Sequence, residues 1–89
     1  MELSDSEEAR ASILKAVETQ VRDGEPPETR QTLERLMGAG YSRDDAVMLI
    51  GSVLAQEVFA VINEGREYDH TGFVAALAAL PGEREGTRR

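Results

Sequence analysis

Glu57 is the one ionisable residue standing where an apolar one belongs. It lies in the stretch DDAVMLIGSVLAQEVFAVINE, residues 44–64. At about 100° of rotation per helical residue, it falls between Val53 and Ile50, near Ala46 and Val61. A carboxylate placed there needs a cation, hydrogen bonds, or a raised pKa that keeps it neutral. Arg30 and Arg35 upstream, Lys15, and Gln20, which interrupts an apolar stripe of its own, are the expected partners. With Gln20, Arg30 and Arg35, Glu57 is therefore the candidate ligand-binding or buried polar group. One chemistry makes it a general base or ligand inside a helical bundle. The other, which the residue types favour, makes it a structural buried pair or a carboxylate at the domain edge.

The remaining chemistry is thin. His70 is the single histidine, beside Asp69 and close in sequence to Glu67. A divalent ion could use such a trio, but a solitary histidine at a helix start more often caps or faces solvent. A di-iron bundle wants two Glu-x-x-His pairs on facing helices, and the chain has one such spacing, Glu67 to His70, with no second histidine to complete the set. No serine lies in a nucleophile-elbow pattern, and Gly38-Ala39-Gly40 lacks the lysine and spacing of a phosphate loop. The absence of cysteine removes disulfides, thiolate ligands and thiol nucleophiles. Neither a metal, nor a cofactor, nor a catalytic residue is expected, and the protein reads as non-enzymatic.

Residues of this kind need elements to position them. The stretch around Glu57 is apolar on too many sides to stand in water alone. Asp45, Ser52, Gln56 and Asn63 share one narrow polar stripe, while Ala46, Val47, Ile50, Val53, Leu54, Val58, Val61 and Ile62 make a broad apolar face. Met48, Ala55 and Phe59 carry that face round the back. No period-2 polarity supports a strand. Some 20 helical residues span roughly 30 Å, enough for a bilayer, but Gln56, Glu57, Asn63 and the acidic flanks argue for a buried helix in a water-soluble domain. Ser42 and Asp45 form a capping box at one end, and Gly65 supplies the stop at the other.

Three shorter helices complete the reading. Ser4 and Glu7 predict a capped start to the first, whose Ala9, Ile13, Leu14, Ala16, Val17 and Val21 form one stripe up to Gly24. Pro26-Pro27 forces a turn, and Pro27 suits the first turn of a second helix with Thr29, Leu33, Leu36 and Met37 inward. Asp69 caps a fourth from His70 to Leu80, with Phe73, Val74, Leu77 and Leu80 inward and Gly72 a slight weakness. The fold class is all-α: a four-helix bundle-like domain with a long, mostly apolar third helix. Residues 1–81 make the domain, and 82–89, without an apolar side chain, are expected to be a disordered tail.

Whether three amphipathic helices can cover the third on every side is the open question. Gly51 and Ala55, one turn apart, would let another helix approach closely. Met48, Gly51, Ala55, Phe59 and Ile62 are therefore the candidate dimer-interface residues, and a homodimer about a two-fold axis is the expected packing. The alternative is a monomer whose first and fourth helices cover that side.

The totals bound the partners. With 89 residues and a formal charge of −7, the chain can bury one modest core and carries no basic face for phosphates. Neither nucleic acid nor an anionic membrane is an expected partner. A basic protein could meet the acidic faces carrying Glu7, Glu8, Asp23, Glu25, Glu28 and Glu34. The beginning MELSDSEEAR is acidic and polar, unlike a signal peptide, which sets the cytoplasm as the expected location.

The run LERLMGAGYSRDDAVMLI resembles the first-loop signature of ubiquitin-associated domains. Here, though, Gly-Ala-Gly-Tyr replaces the Met-Gly-aromatic loop, and the next helix is twice the length. PPETRQTLERLMGAGYSRDDA, then VLAQEVFAVINEG, then YDHTGFVAALAALP are similar to a family of short uncharacterised bacterial all-helical proteins, over about residues 9–81. Some relatives carry histidines before a Val-Glu-x-Gln run. Val17-Glu18-Thr19-Gln20 keeps that run, but Ile13-Leu14-Lys15 carries no histidine. The resemblance implies a helical domain and no established activity.

Overall fold

Helix ends are local decisions, and most lie where the capping residues put them. The computed structural model describes residues 7–82. Four helices follow one another: α1 (Glu7–Asp23), α2 (Pro27–Gly38), α3 (Arg43–Glu64) and α4 (His70–Ala78), with no strand among the described residues. Ser42 Oγ accepts from the Asp45 N–H at 3.0 Å, and Gly65 closes α3 with φ of 69°. The proposed Ser4 cap and residues 83–89 of the expected tail lie outside the described residues. α4 stops at Ala78 rather than Leu80. Pro81 has no N–H to offer the Leu77 carbonyl, which accepts from the Leu80 N–H at 3.1 Å and from Arg35, while Arg35 also reaches the Leu80 carbonyl.

The arrangement follows from which residues meet. Glu18 pairs with Arg43, while Ile13 and Leu14 lie over Gly51, so α1 runs antiparallel to α3. Glu28 of α2 approaches His70, and Arg35 reaches the end of α4, so α2 and α4 run parallel. α2 and α3 form the middle of the bundle; α1 packs on both from one side, α4 on both from the other, and α1 and α4 do not touch. The core between them is Val17, Leu33, Leu36, Ala46, Val47, Ile50, Leu54, Phe73, Leu77 and Leu80. Met37, expected inward, is exposed, and Thr32 is buried instead. On the wheel Met37 lies about 80° from Thr29, outside the arc that Leu33, Leu36 and Thr29 turn towards the core.

Gly51 is where the expected dimer surface needs correction. It is buried, and the helix that approaches it is the chain's own α1: an added Cβ would lie 3.3 Å from Leu14 and 3.4 Å from Ile13. Replacing it with leucine should prise α1 from α3 and cost about 1–3 kcal/mol in chemical denaturation. An unchanged unfolding midpoint would mean that α1 does not sit there.

Candidate functional site

Glu57 is held, but by other residues than those expected. Its side chain is only 10% exposed on α3, facing the loop that turns back towards α4. Oε2 accepts the backbone N–H of Asp69 at 2.9 Å, and Oε1 accepts from the Arg66 guanidinium at 3.3 Å. Arg66 also lies 3.7 Å from Glu64 and 3.9 Å from Asp69. The carboxylate thus ties the end of α3 to the start of α4, with both oxygens engaged. It is built as a brace.

Asp69 completes the corner. Its Oδ1 accepts the Gly72 N–H at 2.9 Å, capping α4 as its residue type predicts. A Cβ at Gly72, a weakness by helix propensity, would run into the Asp69 carboxylate as it is placed, so a larger residue there would need that side chain to shift. His70 Nδ1 and the Tyr68 hydroxyl are 3.0 Å apart, and His70 Nε2 lies 3.9 Å from Glu28, too far for a hydrogen bond. Glu28 Oε1 is buried without a hydrogen-bond partner. Burial first, and then the charges of Glu57, Glu28 and Asp69, push the Tyr68 phenol above its ordinary pKa. Among the described residues, no three His, Asp or Glu side chains are arranged to hold a metal ion.

The expected partners of Glu57 serve elsewhere, which is a correction to the sequence reading. Gln20 accepts from the buried Thr29 hydroxyl at 2.7 Å. Arg30 donates to the carbonyls of Val21 and Arg22, and Arg35 to those of Leu77 and Leu80. The two arginines of α2 therefore cap the C-termini of α1 and α4, the negative ends of those helix dipoles. Lys15 is exposed on α1. Arg66 was legible only as a loop residue. The signal for it is that a short crossover must fold back over the last turns of α3, within reach of a long side chain.

A second surface lies on α3 opposite the core. Met48 is 51%, Phe59 61% and Ile62 71% exposed, with Ala55 half-buried between them. Counting back along the α1–α3 register puts Glu7 about level with Glu57, so Val58 and Ile62 project beyond the described part of α1. α4 lies on the far side. By length and composition alone α3 could cross a membrane; here it packs against all three other helices, yet only 33% of its apolar window is buried. Compared with protein families, with curated proteins and with solved structures, the chain matches none.

Proposed function

We propose that this is a small non-enzymatic cytoplasmic protein, of the bacterial helical family its motifs resemble, that homodimerises through α3 and acts by protein–protein interaction. The observation that carries this is the uncovered side of α3. Three large apolar side chains stand exposed there, and no charged residue interrupts that side between Asp45 and Glu64. Met48 stands about 16 Å along the helix from Phe59, with Ser52 and Ala55 between them, and large apolar side chains aligned on one side of a helix support an interaction site there. A second copy is the occupant, because a domain this small closes one modest core and the same helix face can complete itself about a two-fold axis. Pairing there leaves exposed acidic residues such as Glu8, Asp23 and Glu34 on the outside, available to a basic protein partner. The reading of Glu57 as a ligand or catalytic group has less support, since both its oxygens already accept from the protein.

Sedimentation equilibrium tests the reading. The native chain should sediment as a dimer. Phe59→Glu should weaken association about 100-fold, or about 2.8 kcal/mol, while leaving helix content unchanged. A native chain that stays monomeric at every concentration would overturn it.

A further inference from the structure

Resting on that self-association, we infer that the two copies of α3 pair antiparallel, with the two-fold axis passing beside Ala55. Met48, Ser52, Ala55, Phe59 and Ile62 recur at alternating steps of four and three, the spacing of a coiled-coil seam. Their sizes decide the direction. Antiparallel about Ala55, Met48 meets Ile62 of the second copy, Phe59 falls level with Gly51 and beside the small Ser52, and alanine meets alanine where the helices come closest. In a parallel pair Phe59 would meet Phe59, while serine met serine in a hollow layer.

The polar edge points the same way. After Asp45, the stripe beside the seam is neutral: Ser52, Gln56 and Asn63. A solvated face in so acidic a chain would be expected to carry charge. In the antiparallel register Asn63 comes within about 3 Å along the axis of Asp45 of the second copy, and Gln56 equally near Ser52, bringing amide donors towards oxygen acceptors. Within one chain, Ser52 and Asn63 turn back onto the carbonyls of Leu49 and Phe59, at 2.7 and 3.1 Å. Parallel pairing would instead bring Asp44 and Asp45 of both copies together at one end, like charge against like.

The absence of cysteine makes the test clean. Ala55→Cys, Met48→Cys and Ile62→Cys are made singly in the full chain and oxidised in a glutathione buffer, with sedimentation of the reduced variants and the native chain alongside. Ala55→Cys should form a covalent dimer with itself. Met48→Cys and Ile62→Cys should each stay uncrosslinked alone and form a mixed disulfide when combined. Like positions 48 and 48 would be about 21 Å apart along the axis at the helical rise, against the roughly 7 Å a disulfide spans. Self-crosslinking at 48 and 62 would overturn the direction while leaving the dimer intact. A native dimer in which none of the three crosslinks would place the interface elsewhere and overturn the inference. A native chain that does not associate would defeat the underlying reading itself.

Discussion

Phe73→Ala should remove about 3–5 kcal/mol of stability, the largest loss expected from any single truncation in this chain. Phe73 is 2% exposed, in the core that α4 shares with α2 and α3, and its ring lies 6.2 Å from that of Tyr68 at a tilt of 55°. Emptying that space leaves a cavity that the surrounding helices can only partly close. α4 has nine residues, too few to hold a helix in water without its packing. Set against a total of about 5–15 kcal/mol for a typical domain, the loss would leave the fold marginal. Urea denaturation measures it, and amide exchange should quicken first across α4. A loss below about 1 kcal/mol would mean that α4 is not packed as described.

Removing the Glu57 brace should have the next largest effect, about 1–3 kcal/mol for Glu57→Ala. The Asp69 N–H and the Arg66 guanidinium, both on exposed residues, would lose an acceptor that is itself only 10% exposed. Glu57→Gln should recover only part of this, since its amide turns a donor towards one of two donors. The same substitutions should be visible at Tyr68. Its folded pKa is raised, so its contribution to stability is present below the unfolded value of about 10 and is lost as pH rises through the folded value. Taking away the Glu57 charge should bring phenolate formation to lower pH. Ultraviolet difference titration in a Tyr41→Phe background isolates Tyr68. A stability cost under about 0.5 kcal/mol with an unmoved Tyr68 titration would reject the brace and return Glu57 to the catalytic reading.

The two phenylalanines show where the sequence stops being readable. Both stand in apolar helical surroundings; the stripes set Phe73 inward on α4 and Phe59 at the back of α3, and leave open what covers that back. Phe73 is in the core and Phe59 is in solvent. Gly51 and Ala55 looked alike, as small residues one turn apart. α1 sits on Gly51 because of the antiparallel register that Glu18 and Arg43 mark at its other end. Arg30 and Arg35 were expected to pair with Glu57, and both are exposed and bound elsewhere. Their targets are carbonyls at helix ends, which carry no sequence signature because every helix has them.

What the amino-acid order determined unaided is the set of four helices, their caps at Ser42 and Asp69, and most of the inward positions, with Met37, Val58 and Ile62 as the exceptions. These depend on neighbours within a turn or two, where backbone sterics, capping bonds and the helical period act. Only the tertiary structure decided which helix covers which side of α3, that Arg66 and the Asp69 amide hold Glu57, and that Met48, Phe59 and Ile62 are left outside. Those outcomes depend on how rigid helices are placed by short loops and mutual packing. A helical wheel records the direction of a side chain, but not what arrives to meet it.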